Sequence, residues 1–249
     1  MTDIDLPGVK EMLWYKMHAD LKSLVPWFAD YELLLCPTCF RPVKFDEFSL
    51  EHIIPKQALA DDPKDVREAV TRNQRSGLTL LCRRPLILKG KPINGNGCNS
   101  WKGHFFDAAA RELLNSPPSN IDFTLRHQVS MFAIGYLALF RKYGYRVPLS
   151  SSGLLMRKQF FSPNVFLKEI PGRCQMILSA PPLAGFNNQK KAYWDEPFKI
   201  NIERGAAFVV IRSMSFCLPL SDDPTIPIAR ILPCVPPRYK FRPDLKTVF

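Results

Sequence analysis

Four cysteines in the N-terminal half constrain the fold of this chain more than any other feature. Cys36 and Cys39 are separated by two residues, a gap that lets a tight turn direct both sulfurs at one ion. Cys82 and Cys98 lie much farther apart, but each adjoins a segment with chemically useful side chains. We predict that the four thiolates bind one structural Zn²⁺; the alternative is that Cys82 and Cys98 are ordinary buried thiols. Such a site can contribute about 10–16 kcal/mol to folding, enough to stabilise a small finger with little core.

The segments around these cysteines predict a strand hairpin with helices on both sides. Residues 43–48 and 49–54 are rich in β-prone side chains, and we predict that they form a short hairpin ending at Pro55. Apolar residues at helical spacing predict two helices within residues 8–35. After the hairpin we predict a polar helix at residues 61–72 and a short apolar strand or turn at residues 78–81. A basic loop at residues 83–97 and another helix at residues 101–114 follow.

The chain changes character after residues 115–119, an Asn-Ser-Pro-Pro-Ser stretch typical of a linker. Residues 123–143 show a strongly apolar helical pattern, ended by Gly144. Short β-rich segments then predict an antiparallel sheet with this helix packed on it, with strands at residues 165–170, 174–180, 198–202, 207–217 and 228–234. The predicted fold class is therefore α+β. Its N-terminal domain covers residues 1–115, with the finger at 36–106, and its C-terminal domain covers residues 120–249.

Basic residues outnumber acidic ones, 34 against 23, which gives a net charge of +11 and a pI near 9.4. This excess favours a polyanionic partner, most simply nucleic acid, although a merely basic soluble protein shows the same balance.

The longest apolar stretch, residues 129–140, is too short to span a bilayer and indicates a buried helix. The acidic start of the chain shows no secretory signal, and seven cysteines is an odd number. We therefore expect a reducing cytoplasm rather than a disulfide framework or a membrane.

The cysteines frame three further motifs. An acid–histidine step ends the predicted hairpin, in the sequence Glu51-His52-Ile-Ile-Pro55. An apolar run leads into the third thiol, in Gly77-Leu-Thr-Leu-Leu-Cys82. An amide follows the fourth thiol, in Cys98-Asn99-Ser-Trp-Lys102-Gly103. Together with the Cys-Pro-Thr-Cys turn, this pattern resembles the HNH endonucleases that carry cysteines on a ββα-metal finger. The resemblance covers residues 36–106, and its motifs are specific in combination although each alone is weak.

The resemblance implies a metal-dependent phosphodiester hydrolase that acts on DNA, most simply double-stranded DNA. His52 is the expected general base, because a neutral imidazole, with an ordinary pKa of ~6.5, can take a proton from water at cellular pH. Glu51 and Asn99 are the expected ligands of a catalytic Mg²⁺ or Mn²⁺, since both ions prefer oxygen donors. The side chains expected to contact phosphates are Arg83, Arg84, Lys89, Lys91 and Lys102.

Two departures from the family pattern leave alternatives open. Gly77 stands where the family has an asparagine that braces the loop carrying the histidine, and Asn73, a few residues upstream, is a candidate substitute. The extended basic loop at residues 83–97 is either an insertion that reads the substrate or a passive connection.

The geometry of the expected catalytic residues sets two conditions. Consecutive strand residues point to opposite faces, so Glu51 and His52 can converge only if the strand ends or bends, which Pro55 favours. His104 is a rival metal ligand. It lies five residues beyond Asn99, a rotation of about 140° on a helix, and this favours Asn99 as the ligand.

Two functions without catalysis remain as alternatives. A zinc-ribbon module that only binds nucleic acid needs the thiols and the basic loop, but not Glu51, His52 or Asn99. The hypothesis of a scaffold for protein contacts is weaker, because it gives no role to those three residues. Under the nuclease hypothesis, the C-terminal region supplies target choice, homodimerisation or contact with a partner protein. Enzymes of the family act in restriction, phage defence and mobile elements, which is an argument by analogy alone.

Overall fold

Helices and small antiparallel sheets make up the described part of the chain. This computed structural model describes residues 8–28, 32–88, 91–92, 97–116, 120–168, 176–178, 194–203, 206–212 and 214–219. Within these ranges the predicted α+β class is confirmed. None of the helices in these ranges is both long enough and apolar enough to cross a membrane.

The N-terminal segment forms one α-helix and a cysteine-bearing hairpin. Helix α1 (Val9–Leu24) is followed by a single 3₁₀ turn (Pro26–Phe28) where a second helix was predicted, because proline lacks the N–H that would continue α1. Strand β1 (Leu34–Leu35) then pairs antiparallel with β2 (Pro42–Val43). Residues 36–41, which include the first two cysteines, form the turn between these strands.

The central hairpin has a different partner from the predicted one. Strand β3 (Phe48–His52) pairs antiparallel with β4 (Leu78–Cys82), so the prediction of a local hairpin with residues 43–48 is wrong. Just before β3 the chain turns, and the Glu47 carboxylate accepts the Lys44 backbone N–H at 2.9 Å. All five residues of β4 are buried, so pairing with β4 removes more apolar surface from water than a local hairpin would.

Three short helices connect β3 to β4: α2 (Lys56–Ala60), α3 (Lys64–Ala69) and α4 (Arg72–Ser76). Pro63 lies at the start of α3, and Thr71 caps α4 by accepting the Gln74 backbone N–H at 3.3 Å. These two start signals divide the single helix predicted at residues 61–72.

After β4 the chain forms a small hairpin and two further helices. Strands β5 (Ile87–Leu88) and β6 (Lys91–Pro92) pair within the region predicted as a basic loop. Helices α5 (Gly97–Phe105) and α6 (Asp107–Asn115) replace the single helix predicted at residues 101–114. The break between them falls at Phe106, whose side chain is buried.

The C-terminal half begins with two helices. Helix α7 (Leu125–Tyr143) coincides with the predicted apolar helix and ends at Gly144, which has a φ of +62°. Helix α8 (Ser151–Phe160) was not predicted, because its Ser-Ser-Gly start has the composition of a loop. Ser150 caps α8, and its hydroxyl accepts the Gly153 backbone N–H at 3.0 Å.

A four-stranded antiparallel sheet follows, formed by β7 (Met176–Leu178), β8 (Phe198–Glu203), β9 (Ala206–Ile211) and β10 (Met214–Pro219). Its spatial order is β7-β10-β9-β8. The single strand predicted at residues 207–217 is divided by a turn in which Arg212 has a φ of +52°. Residues 165–168 are not a strand, and the strand predicted at 228–234 lies outside the described residues.

One apolar core joins the N-terminal and C-terminal halves through α7. Gly135 packs so closely against the sheet that a Cβ there would lie 2.2 Å from the Phe216 ring. The next residue, Tyr136, is buried and donates its hydroxyl to the Pro37 carbonyl in the cysteine turn. The division into domains at residues 115–120 stays a prediction, but the two sides of that division pack on the same helix.

Replacing Gly77 tests the packing between the central hairpin and the C-terminal sheet. Gly77 has a φ of +63°, and a Cβ there would lie 2.3 Å from the Phe198 ring. We expect Gly77→Ala to lower the free energy of unfolding by roughly 1–3 kcal/mol, measured by urea denaturation. The matched control is Gly103→Ala in α5, where the nearest atom is 3.8 Å away and alanine should be neutral or slightly stabilising. Equal effects of the two changes would contradict this packing.

Candidate functional site

Three buried thiols converge beside the β1–β2 turn. The Sγ atoms of Cys36, Cys39 and Cys98 all lie within 4.8 Å of one another, and the Sγ atoms of Cys36 and Cys98 are 3.8 Å apart. Burial raises the pKa of Cys36 to about 12, so a metal must displace its proton on binding. Three converging sulfur donors can hold a metal ion.

The backbone of the β1–β2 turn explains why the first two thiols meet. The Phe40 N–H donates to the Cys36 carbonyl at 2.9 Å, and the Cys36 N–H donates to the Arg41 carbonyl at 3.0 Å. Phe40 adopts a φ of +59°, in the left-handed region, which closes the turn within a few residues. The two-residue gap therefore places the sulfurs of Cys36 and Cys39 on the same side of the turn.

Cys82, the remaining predicted zinc ligand, adjoins the cluster without joining the mutually close set. Its backbone N–H donates to the Cys36 sulfur at 3.4 Å, and its side chain is fully buried. Gly97 brings the start of α5 to the same place, since a Cβ there would lie 2.4 Å from the Cys82 carbonyl oxygen. The β1–β2 turn, the end of β4 and the start of α5 thus meet at the cluster, and the four-thiolate site stays a prediction.

Arg41 belongs to this cluster, and sequence reasoning missed it. Its Nε lies 3.5 Å from the Cys39 sulfur and its Nη2 lies 3.6 Å from the Cys82 sulfur. The same guanidinium donates to the Arg84 and Pro85 carbonyls at 2.9 and 3.0 Å, which holds it in place. A fixed positive charge beside thiols favours their deprotonated, metal-binding form. The signal available in the sequence was its position directly after the Cys-Pro-Thr-Cys-Phe turn.

His52 is held by Ser76, the second residue that sequence reasoning missed. His52 Nδ1 lies 2.7 Å from the Ser76 hydroxyl oxygen, and that hydroxyl donates to the Asn73 carbonyl at 3.2 Å. With the hydroxyl proton directed to Asn73, the Ser76 oxygen can accept an Nδ1–H, which is the tautomer with its lone pair on Nε2. Asn73, the candidate brace, contacts Ser76 through its backbone carbonyl, and its bracing role stays a prediction.

Glu51 faces a buried lysine. Lys102 Nζ lies 2.8 Å from Glu51 Oε1 and 2.7 Å from Asp107 Oδ1. Burial raises the pKa of the Glu51 carboxyl, and the Lys102 ammonium opposes that shift. Burial alone would lower the pKa of Lys102, but the two carboxylates raise it overall. We call Glu51, Lys102 and Asp107 the charged triad; with all three ionised, one negative charge is left over.

Asn99 contacts the same strand from the same helix. Its Nδ2 donates to the Ser49 hydroxyl at 3.0 Å and lies 3.5 Å from the Leu50 carbonyl oxygen. Asn99 and Lys102 are three residues apart and share one face of α5. Ser49 and Glu51, the strand residues that they contact, share one face of β3. The structure thus places Asn99 and Glu51 along one interface between helix and strand, with no hydrogen bond joining them within the described residues.

The predicted phosphate contacts have unequal environments. Arg83 is exposed, and Arg84 is half exposed and forms an ion pair with a carboxylate. Lys102 is fully buried between two carboxylates, so it does not present its ammonium to a phosphate, contrary to what the motif implied. Lys89 lies outside the described residues, and so does the side chain of Lys91.

The catalytic residues predicted from the sequence contact different partners: Lys102 for Glu51, Ser76 for His52 and Ser49 for Asn99. Strand β3 ends at His52. The strand has to end or bend there, because otherwise Glu51 and His52 would point to opposite faces. His104 stacks edge-on against Phe105, with ring centroids 4.5 Å apart. Among the described residues, three or more His, Cys, Asp or Glu ligand atoms come close together only at the thiol cluster. An ion held by Glu51 and Asn99 would therefore complete its coordination with water or substrate oxygens.

Comparison of the chain with protein-family models, curated proteins and solved structures gives no match. What the site can do chemically therefore rests on its own geometry.

Replacing Lys102 tests the charged triad. Lys102→Met leaves Glu51 and Asp107 without their cation, and we expect it to lower the free energy of unfolding by about 3–5 kcal/mol at pH 7. In the variant the folded pKa of Glu51 lies above its unfolded value. The loss relative to wild type should therefore shrink as the pH falls towards ~4.3, where an unfolded glutamate takes up its proton. Urea denaturation at several pH values measures both effects.

The control for this experiment is Lys158→Met, which removes an exposed lysine from α8 and should leave stability nearly unchanged. Combining Lys102→Met with Glu51→Gln should recover part of the loss. A loss that is the same at every pH would show that Lys102 contributes by packing and not by its charge.

Proposed function

We propose that this protein is a metal-dependent endonuclease of the HNH type that hydrolyses phosphodiester bonds in DNA. The observation that carries the proposal is His52 at the end of β3, whose Nδ1 lies 2.7 Å from the Ser76 hydroxyl oxygen. The adjacent Glu51 faces α5, the helix that also carries Asn99. The antiparallel pair β3–β4 and helix α5 supply the two strands and the helix that the resemblance implies, although three helices separate β3 from β4 and a small hairpin separates β4 from α5.

In this proposal His52 handles the proton. With Nδ1–H donated to Ser76, the lone pair on Nε2 accepts a proton from the attacking water. The backbone fixes the segment that follows, because the Ile53 N–H donates to the Gly77 carbonyl and the Ile54 N–H to the Ser76 carbonyl, both at 3.0 Å. The imidazole is thus oriented before substrate binds, which lowers the cost of reaching the reactive geometry.

Glu51 and Asn99 fit a hard divalent ion, because carboxylate and amide oxygens suit Mg²⁺ and Mn²⁺. When bound, such an ion would neutralise charge on the scissile phosphate and on the leaving oxygen. Two protein ligands are sufficient, since Mg²⁺ usually keeps several waters. The negative charge left over in the charged triad favours a cation at this place.

The thiol cluster fits a structural Zn²⁺ in the same proposal. Zinc in structural sites prefers four tetrahedral ligands, and Cys82, whose backbone N–H donates to the Cys36 sulfur, would supply the fourth sulfur beside the other three. The ion would join the β1–β2 turn, the end of β4 and the start of α5. Nucleic acid as the substrate agrees with the net charge of +11.

One observation favours a second function, nucleic-acid binding without catalysis. Lys102 already neutralises Glu51 at 2.8 Å, which lowers the need for a metal ion at that carboxylate. A zinc-stabilised binding module would keep the thiol cluster and the net positive charge, and it would use His52 only for packing. Cleavage experiments separate the two functions.

His52→Ala should abolish cutting. We expect wild-type protein with Mg²⁺ or Mn²⁺ to nick supercoiled plasmid, and loss of the general base should slow nicking by about 10²–10⁴-fold. The matched control is His18→Ala, which removes a histidine stacked on Trp14 in α1 and should leave the rate unchanged. Equal rates for wild type and His52→Ala would reject His52 as the base. Absence of cutting by the wild type would favour the binding-only function.

Ser76→Ala should impair the positioning of His52. We expect nicking to slow by roughly 10- to 100-fold, the range typical of partners that orient a functional histidine. The Ser76 hydroxyl contacts Nδ1 at 2.7 Å, so its loss removes the contact that orients the ring. The matched control is Ser130→Ala, which removes a buried hydroxyl that donates to the Phe106 carbonyl at 2.7 Å. That variant should lose stability but keep the wild-type nicking rate, whereas a wild-type rate in Ser76→Ala would contradict the proposed role.

A further inference from the structure

A cavity of about 810 Å³ opens between α1, α4 and the C-terminal end of α7. Pockets that enclose small molecules usually have volumes of 300–1,000 Å³. Most of its lining is apolar, and this apolar part includes Leu13, Met17, Leu78, Phe140 and Tyr143. We call it the α1–α7 pocket. It can accommodate a flat apolar group, and nothing in the proposed reaction uses it.

The rest of the lining of the α1–α7 pocket is basic. Four exposed cations belong to it: Lys16, Arg141, Lys142 and Arg146. Arg141 and Lys142 donate to backbone carbonyls, those of Leu78 and Ile200, so these hydrogen bonds leave their charges uncompensated. Asp20 is the single acidic residue among the described lining residues, and its carboxylate accepts the Tyr145 N–H at 2.6 Å. The pocket therefore suits a ligand that combines an apolar plane with an anionic group.

The α1–α7 pocket also lies beside the candidate general base. Asn73 and Gln74 line it from α4, the helix whose last residue, Ser76, holds His52. Leu78, which lines the pocket as well, pairs with His52 across the central hairpin. The side-chain amide of Asn73 makes no hydrogen bond within the described residues, so it is available to a ligand with polar edges. A group in this pocket would sit within about one helical turn of the residue that orients the imidazole.

We propose that the α1–α7 pocket binds one unpaired nucleotide of the nucleic-acid strand, next to the phosphodiester that is cut. The base lies on the apolar lining, the Asn73 amide contacts its edge, and the phosphates on either side meet the four cations. This inference rests on the proposed function for its substrate class. A base can enter only when it is out of the duplex stack, so the pocket selects single-stranded or locally opened DNA.

The test compares strands with and without bases. Fluorescence anisotropy, without added divalent metal, measures binding of a single strand of about 12 nucleotides and of an abasic strand of the same length. The wild type should bind the base-containing strand at least about fivefold more tightly, the effect of stacking one base. Leu13→Trp fills the pocket without changing charge, and it should remove this preference by weakening binding of the base-containing strand. The matched control is Leu154→Trp, at an exposed position of α8 outside the pocket, which should keep the preference.

A second pair of variants tests the cations and does not depend on repacking the apolar lining. Lys16→Glu should weaken binding of both strands severalfold, because both carry phosphates. Lys158→Glu makes the same change of charge on α8, outside the pocket, and should have a smaller effect on both strands. Equal weakening by the two variants would contradict a specific role for the cations of the pocket.

Two results would overturn the proposal outright. In one, a correctly folded Leu13→Trp keeps the full preference for bases. In the other, free deoxyadenosine monophosphate competes as well as the strand does, which would make the pocket a site for a free nucleotide. Failure of the nuclease is a separate result, because the binding measurements need no cleavage. If the wild type cuts plasmid but Leu13→Trp keeps the base preference, the pocket proposal is wrong and the nuclease proposal stands. If Leu13→Trp loses the preference but the wild type does not cut plasmid, the nuclease proposal is wrong and base binding in the pocket stands.

Discussion

The thiol cluster is the constraint on which the rest of the structure depends, because it holds separate segments of the chain at one point. Cys36 and Cys39 come from the β1–β2 turn, Cys98 comes from the first turn of α5, and Cys82 adjoins them at the end of β4. A structural zinc here would supply about 10–16 kcal/mol. This is as large as the whole net stability of an ordinary domain, about 5–15 kcal/mol. The fold of the finger and the ion that it binds would therefore be inseparable.

Helix α5 carries this constraint into the candidate catalytic site. The same two turns of helix hold Cys98 at the cluster, Asn99 against Ser49, and Lys102 against Glu51. A displacement of the thiols would therefore move the charges around Glu51. On the other side of β3, His52 depends on α4 through Ser76. The proposed chemistry thus depends on α5, whose Cys98 belongs to the thiol cluster, and on α4, which packs beside the central hairpin.

Local signals in the sequence predicted individual turns and helices better than they predicted which strands pair. The two-residue gap between Cys36 and Cys39 and the apolar pattern of α7 are local, and the structure has both features where the sequence indicates them. The partner of β3 is not local: it is chosen by the burial of β4, which lies beyond three helices. Lys102 was assigned to phosphate because it belongs to the motif that follows Cys98, and only tertiary packing shows it buried between two carboxylates. For the same reason Ser76 carried no recognisable signal, since its role exists only where α4 ends beside His52.

The most direct test of this account is the sulfur coordination of the metal in protein purified under reducing conditions. Metal analysis combined with X-ray absorption should find one zinc per chain, with four sulfur neighbours at about 2.3 Å. Cys82→Ser should either lose the ion or retain it with three sulfurs, while Cys217→Ser, a change in β10 away from the cluster, should match the wild type. A folded wild-type protein without metal, or a Cys82→Ser variant that still shows four sulfurs, would contradict the claim that one ion held by four thiols organises the site.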